Sequence, residues 1–384
     1  MVSAGPLEKL FEEGLVEGEV KVFNYDIRKD TAENAWANAL GGYLKYTTSK
    51  KSPLYAAVRF HTSNPIGPNE NPESTQLFDN GNDASGFVAN SEAYLAWHSG
   101  KRILKAGNLM LTTPMMNDDT TRIVPWSYQG AAYTATALPD TKVQLYHITA
   151  IRSYTSSEYT KESASGDIGS GVTMLGLHYE GIRELELKSY YYYAPDLYST
   201  FIAQADYKHS LDESHSFCLG IQYFNSGHGG KYADRENKNG GDDIDLIALK
   251  ASYDTSDWMF NLNYSRNFGI SGIVKGYGGL AKVYTTSMIA NGRGNYMPET
   301  WMLKIDHDLP EIRWGESDIA LTLTRTRAHD ERGSDFDAIY LHWRHEFDAD
   351  TLLYARYERL HYYDERNNES FFRVIFSHKF RSSK

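Results

Sequence analysis

Basic side chains recur singly inside strand-like segments of this sequence. Arg59, for example, stands between Val58 and Phe60. The same parity is found at Lys45, Lys105, Arg152, Lys188, Lys250, Lys304, Arg344, Arg356 and Arg373. Ammonium and guanidinium groups pair with carboxylates, and the planar fork of arginine does so bidentately. A row of these groups on one surface could bind carboxylate-bearing molecules in succession.

The segments around these bases alternate between apolar residues and other residues. Residues 258–265, 301–306, 319–324 and 339–344 all have a period of two, which predicts strands with two different faces. Lys, Arg and Asp stand at mid-strand on the less apolar face. A charge on a lipid face costs about 2–4 kcal/mol at mid-bilayer, so these charges should point inward. The pattern predicts an all-β fold, a transmembrane antiparallel β-barrel.

Composition does not decide between a transmembrane β-barrel and a soluble β protein. The 384 residues are 41% hydrophobic and include 29 Tyr and 7 Trp, which favour membrane interfaces. A Tyr-rich soluble β protein such as a lectin fits equally well. The net charge of -11 argues against a nucleic-acid partner. The single cysteine, Cys218, excludes an internal disulfide and is expected to be a buried structural thiol.

Strand-like segments follow one another along almost the whole chain. We predict about eighteen, near 16–25, 35–48, 54–62, 88–98, 102–109, 129–138, 141–152, 171–180, 182–194, 197–208, 213–225, 243–254, 256–267, 299–307, 317–327, 335–346, 351–362 and 369–380. They form one barrel domain over 15–380, after an N-terminal periplasmic segment (1–14) with a short helix at 5–13 and before a tail (381–384). Met1–Ala4 lacks the features of a secretory leader, so the sequence is expected to be that of the mature form.

The connections differ in length in a regular way. Those from even to odd strands are mostly tight, as at 98–101, 138–141 and 180–181. Those from odd to even strands are mostly long, as at 63–87, 110–128 and 268–298. Short periplasmic turns and long extracellular loops are typical of outer-membrane barrels. The segment 194–197 is an exception, because it is short where a long loop is expected.

Residues 105–130, KAGNLMLTTPMMNDDTTRIVPWSYQG, carry a recognisable motif. They resemble the OprD family of substrate-specific outer-membrane channels, as do FHTSNPIG (60–67), SEAYLAW (91–97), ALPDTKVQL (137–145) and the opening segment 11–26. Asn108 departs from the family pattern, in which arginine is common. The resemblance implies an 18-stranded, monomeric channel in the bacterial outer membrane, with the third extracellular loop folded into the pore. It also implies that small carboxylates pass along a lumenal row of bases.

The inserted loop should supply fixed charges at the narrowest point, where a thin aqueous gap between low-dielectric walls focuses the field. Arg122 is the leading candidate for the filter. Asn117, Asp118, Asp119 and Tyr128 are expected beside it, as pore-lining residues. Asp118 and Asp119 could instead fasten the loop to the wall through Arg or Tyr partners. The segment 268–298 should pack over or into the pore mouth, with Tyr277, Tyr284 and Tyr296 in contact.

From the wall, Arg59, Lys105, Lys304, Arg344, Arg356 and Arg373 complete the candidate pore-lining set. Each could instead be neutralised by an acid of the same parity, such as Glu92, Asp206, Asp306, Glu346 or Glu358.

The expected partners are the lipid bilayer and small anionic solutes. No cofactor, metal site or catalytic residue is predicted, because His209 and His215 lack catalytic or metal-ligand spacing and no GxSxG motif is present. A poorly selective general diffusion porin is the first alternative. A β-barrel hydrolase or a soluble sugar-binding β protein is the second.

Overall fold

The computed structural model describes residues 11, 13–80, 84–163, 166–195, 197–228, 244–269, 277–288, 297–331, 333–364 and 368–382. The predicted N-terminal helix at 5–13 lies almost entirely outside this range. Among the described residues, no helix combines the length and the hydropathy needed to cross a membrane.

Eighteen antiparallel strands form a single closed sheet. They are β1 Leu15–Lys29, β2 Ala35–Thr47, β3 Leu54–Pro65, β4 Phe87–Ser99, β5 Arg102–Leu109, β6 Ser127–Leu138, β7 Thr141–Arg152, β8 Val172–Ile182, β9 Leu185–Tyr193, β10 Tyr198–Ser210, β11 Ser216–His228, β12 Ile244–Asp254, β13 Trp258–Asn267, β14 Pro298–Ile312, β15 Gly315–Ala328, β16 Phe336–Glu346, β17 Thr351–Tyr362 and β18 Glu369–Arg381. A 3₁₀ turn (Pro72–Thr75) and a small hairpin (Glu162–Ser163 with Gly166–Asp167) lie in connections. The predicted barrel of eighteen strands is confirmed.

The barrel closes where β1 pairs with β18. The ladder runs from Glu17 opposite Arg381 to Lys29 opposite Glu369. Every strand therefore has two neighbours, and no edge with unpaired backbone groups is left open. Closure is what allows backbone hydrogen bonds to be satisfied within a bilayer.

The two faces of the strands differ as the alternation predicts. Trp301 and Leu303 are 50% and 38% exposed, whereas Met302 between them is 2% exposed. The outward residues form an apolar surface, and the inward residues pack against one another and against segments inside the barrel. Trp258 and Trp343 belong to the same outer surface.

Two hairpins at the short-turn end differ from their predicted limits. The predicted turn at 180–181 is wrong: β8 continues through a register irregularity to Ile182, and the turn is Arg183–Glu184. Glu184 adopts a left-handed φ of 65°, and its carbonyl accepts a bond from the Lys208 N–H (2.8 Å). The adjacent strand thus holds the turn in place, an interaction that local turn propensity does not include.

The β14–β15 hairpin is longer than predicted, because its strands reach Ile312 and Gly315 instead of ending near 307 and 317. Gly315 has a φ of +125°, and a Cβ there would lie 1.9 Å from the carbonyl oxygen of Glu346. Only glycine permits this close approach of two backbones.

Candidate functional site

The connection between β5 and β6, residues 110–126, lies inside the barrel and is called here the first inner segment. Met115 and Met116 have no exposed surface. The Met115 N–H donates to the hydroxyl of Tyr192 on the inner wall (3.3 Å). A tight turn orders the tip, where the Thr113 N–H donates to the Met116 carbonyl (2.9 Å). The first inner segment therefore narrows the lumen.

Residues 277–288, the second inner segment, belong to the long connection between β13 and β14 and also cross the lumen. The Tyr277 hydroxyl donates to the carbonyl of Tyr198 on β10 (2.7 Å). The Tyr284 hydroxyl donates to Asp206 of the same strand (2.7 Å), and Ser287 donates to Glu358 on β17. Tyr277 and Tyr284 thus make the contacts expected of them, while Tyr296 lies outside the described residues.

Asn117 joins the two inner segments. Its amide donates to the Leu280 carbonyl (2.7 Å) and accepts from the Leu280 N–H (3.2 Å). The Tyr128 hydroxyl lies behind Asn117. It is 2.8 Å from the carbonyl oxygens of both Asn117 and Gly278, and these two oxygens accept its hydrogen bond. Asn117 and Tyr128 are 1% and 0% exposed. The prediction that they line the pore is therefore wrong, because their polar groups are used to hold the constriction together.

Arg122 connects the first inner segment to the loop between β3 and β4. Its Nε donates to the Thr75 carbonyl (2.9 Å), and Nη2 donates to Gln76 (3.0 Å). The guanidinium also lies 5.1 Å and 5.3 Å from the ring centres of Tyr25 and Tyr154. Arg122 is 8% exposed, so it contributes positive potential to the constriction while most of its donors are occupied.

Arg356 and Arg373 stand directly opposite each other on β17 and β18. Arg373 is 1% exposed, and its Nη2 donates to the Tyr25 hydroxyl (2.8 Å). Its Nε and Nη1 are buried and have no hydrogen-bond partner in the part of the chain that the structure describes. Arg356 donates from Nε to the Tyr340 hydroxyl (2.9 Å). Neither guanidinium has a carboxylate within salt-bridge distance among the described residues.

Such an arrangement is costly without a ligand. Like charges directly opposite each other on neighbouring strands repel. An unsatisfied buried donor costs about 1–3 kcal/mol, and more when it is charged. Because Arg122 also faces Tyr25, three guanidiniums surround this part of the lumen. The geometry thus places two buried guanidinium donors without a partner among the described residues beside two further arginines.

The other candidate bases divide into two groups. Lys105 lies over the Tyr94 ring (4.8 Å) and has no ion pair among the described residues. Arg59 forms an ion pair with Glu92 (2.7 Å), Lys304 with Asp306 (2.7 Å), and Arg344 with Glu346. Carboxylates likewise neutralise Lys45, Lys188 and Lys250. The inward row is therefore a mixture of paired and unpaired charges.

Arg152 has another role. It is 0% exposed, and its donors bond to Ser127 and to the carbonyls of Pro125, Ser153 and Ser156. Four of its five N–H donors thus fix the ends of two connections.

Asp118 and Asp119 make no ion pair within the described part of the chain, so they do not fasten the loop through basic partners. Asp118 is half-buried, and burial raises the pKa of its carboxyl above the ordinary value, although the nearby charge of Lys282 opposes this. Asp119 has a φ of 41° and accepts a weak bond from the Thr121 N–H (3.4 Å). Both carboxylates are available to repel anions or attract cations at the constriction.

Within the described ranges, one group has the composition of a metal site: His178, Glu180 and Glu186, whose ligand atoms lie within 4.8 Å of one another. His178 Nε2 lies 2.6 Å from Glu186 and 3.2 Å from Glu180, and Lys188 lies 2.7 Å from Glu186. The group is a cluster of side chains at ion-pair distance on the wall of β8 and β9, and these contacts account for it without an ion.

Sequence reasoning missed Tyr25, Tyr340 and Lys282. The two tyrosines share the inward parity of their strands, and that parity was a usable signal. Lys282 is exposed within the second inner segment, where no strand period applies. Lys282 lies near Asp118 because two connections that are distant in the sequence meet inside the barrel.

An apolar outer wall, a charged lumen and two segments that narrow it define an outer-membrane β-barrel channel. The chain belongs to the OprD family of outer membrane porins, whose family profile matches residues 67–313. No curated protein sequence matches the chain.

Solved structures share the fold across nearly the whole chain. OccK9 (OpdG) of Pseudomonas aeruginosa superposes with a TM-score of 0.84 at 14% identity, covering 98% of this chain and 100% of that one. OccAB2 of Acinetobacter baumannii gives 0.84 at 16% identity, with coverages of 98% and 100%. Pseudomonas aeruginosa OpdK, solved with vanillate, gives 0.81 at 15% identity, with coverages of 97% and 100%.

Proposed function

We propose that this porin allows passive diffusion of small carboxylate-bearing solutes, such as organic acids or amino acids, and that Arg356 and Arg373 bind the carboxylate at the constriction. The observation that carries the proposal is the buried guanidinium of Arg373 with two unpartnered donors. A carboxylate accepts two parallel bonds from an arginine fork, and it would also offset the repulsion between the two arginines.

The surrounding positive charges also favour anions over cations. Arg122 adds positive potential at Tyr25, and Lys105 is a further base without an ion pair among the described residues. The paired bases Arg59, Lys304 and Arg344 would exchange carboxylate partners along the wall, which keeps binding weak enough for release. Vanillate, held by the structurally similar OpdK, is an aromatic carboxylate.

Single-channel recording tests the proposal. We expect the wild-type channel to prefer anions and to be blocked reversibly by benzoate. Arg373→Gln and Arg356→Gln should each weaken the benzoate block at least tenfold, since a charged hydrogen bond contributes about 1.5–3 kcal/mol. Arg344→Gln is the matched control, because its charge is already paired, and it should change the block less than threefold.

Equal behaviour of the three variants would contradict the carboxylate site. A wild-type channel without anion preference or benzoate block would favour the alternative, a general diffusion porin on the same barrel.

We also propose that the channel is a monomer and has no enzymatic activity. The closed pairing of β1 with β18 leaves no sheet edge for another chain to complete, which supports a monomer. Light scattering in detergent should give the mass of one chain, and a multiple of it would contradict this. The family and its structural neighbours are porins, which supports a channel over a hydrolase.

A further inference from the structure

At the end of the barrel that carries the long loops, the outer surface has an uncharged part and a charged part. On β2–β11, the outward positions above the apolar belt carry uncharged side chains, namely Asn38, Asn64, Asn90, Asn108, Gln129, Thr149, Thr173, Tyr193, Ser199 and Asn225. On β13–β17 and β1, the corresponding positions carry ionisable side chains, including Arg266, Glu299, Arg325, Arg327, Asp337, Arg359 and Arg28. We call this second part the arginine arc. These residues share the parity of the lipid-facing wall and do not face the pore.

Cross-strand pairing makes the arginine arc continuous. Arg266 stands opposite Glu299, which stands opposite Arg327 on its other side. Arg325 stands opposite Asp337 on the next strand. Arg359 and Arg28 both stand opposite Ser370 of β18, on its two sides. The guanidiniums therefore stand on four of seven adjacent strands, with Glu299, Asp337 and Ser370 on the strands between them.

Within the arginine arc the positive groups are generally presented outward. In three ion pairs the arginine side chain is more exposed than its acid: Arg28 is 53% exposed against 25% for Asp26, Arg266 37% against 21% for Glu299, and Arg325 46% against 39% for Asp337. In the fourth pair, Arg359 and Asp30 are about equally exposed, at 47% and 50%. Arg327 is exposed and has no ion pair among the described residues. The paired arginines therefore keep a large part of the side chain in contact with solvent or headgroups.

The position of the arginine arc relative to the membrane follows from the outward residues next to it on each strand. Arg266 is the next outward residue after Tyr264, Arg325 after Leu323, and Arg359 after Tyr357. Trp301, which is 50% exposed, pairs with both Tyr264 and Arg325. Exposed tryptophan and tyrosine mark the boundary of the hydrocarbon layer, and the first charged position beyond it lies among the lipid headgroups.

We propose that the arginine arc binds the phosphorylated headgroups of glycolipids in the outer leaflet of the outer membrane. Guanidinium forks bind phosphate bidentately, and a row of arginines at one height matches a sheet of anionic headgroups. The uncharged rim of β2–β11 would lack this affinity, so the lipid would coat one side of the barrel. Exposed ion pairs contribute at most about 1 kcal/mol to stability, so folding alone gives little reason for this concentration of charge.

The proposal is tested by native mass spectrometry of the purified porin in detergent. The probes are lipid A with both phosphates and the same lipid after enzymatic dephosphorylation. We expect the wild type to retain the phosphorylated form at least tenfold better. The triple variant R266Q/R325Q/R359Q should lose roughly 100-fold in retention, because each basic group near an anionic surface contributes about 1 kcal/mol.

The matched control is R102Q/R183Q/R313Q, which removes three arginines at the short-turn end and should retain lipid as the wild type does. A shift in gel mobility on boiling verifies that each variant is folded. Equal retention of the two lipids, or of the two triple variants, would overturn the proposal. Displacement of the lipid by millimolar inorganic phosphate would also overturn it, because the arc would then be a site for free anions.

Discussion

At the scale of the residue, the electrostatics of the constriction depend on which charges are already satisfied. Arg122 and Arg152 give most of their donors to protein acceptors, whereas Arg373 keeps two donors free. The number of bases in the lumen is therefore a poor measure of its affinity for anions. The affinity for anions depends on the donors that are not already bonded to protein acceptors. In Arg373, Tyr25 accepts from only one donor.

Asp118 should make the channel respond to pH. Burial raises the pKa of its carboxyl, so the group takes up its proton at a higher pH than an exposed aspartate does. Protonation removes a negative charge beside Lys282. We therefore expect anion preference, measured as the reversal potential in a salt gradient, to increase as the pH falls through that raised pKa. Asp118→Asn should show the increased preference at every pH.

Asp119→Asn is the control for this experiment. It removes a charge from the same turn but leaves Asp118 titratable, so its reversal potential should still change with pH. A pH response in Asp118→Asn as large as in the wild type would show that another group is responsible.

At the scale of the element, the second inner segment is held to the first by the side chain of Asn117 and by two backbone bonds, from the Tyr277 N–H to Met115 (3.1 Å) and from the Lys282 N–H to Pro114 (3.2 Å). Asn117→Ala removes both amide bonds to Leu280, at a cost of about 1–3 kcal/mol. We expect the two segments to separate more often, which should raise the mean single-channel conductance and add rapid fluctuations of current. Asn108→Ala is the control, since this amide lies on the outer face and bonds to Asn90. Identical current traces for the two variants would argue against this role.

Sequence predicts the elements better than their ends. The period-two pattern identified eighteen strands because a lipid-facing wall requires an apolar residue at every second position. It misplaced the turn at 183–184, where the neighbouring strand accommodates Glu184, and shortened the hairpin at 313–314, where Gly315 allows two backbones to approach. Both errors occur where contacts between strands, which the local pattern does not contain, decide the geometry.

At the scale of the whole molecule, the site depends on closure. Arg373 and Tyr25 are 348 positions apart and meet only because β18 pairs with β1. The inward parity of Arg373 was predictable from its own strand. Its partners and its unsatisfied donors were not, because they depend on the register at which the barrel closes and on two segments folded into the lumen.

The single cysteine allows a test of the inward and outward faces of the barrel. Cys218 was expected to be buried, but it is only partly buried on the inner face of β11, where it lines a recess of about 610 Å³ with Lys250 and Asp206. The adjacent Leu219 is 52% exposed on the outer face. A charged methanethiosulfonate reagent reaches thiols in water but not those in lipid. We expect it to form a mixed disulfide with Cys218 in bilayers, with release of methanesulfinate, and to lower the conductance of the wild type in one step that persists until a thiol reductant is added. Cys218→Ser should abolish this step, and adding Leu219→Cys to it should not restore the step. Modification of the thiol at 219 would instead mean that the predicted faces are reversed.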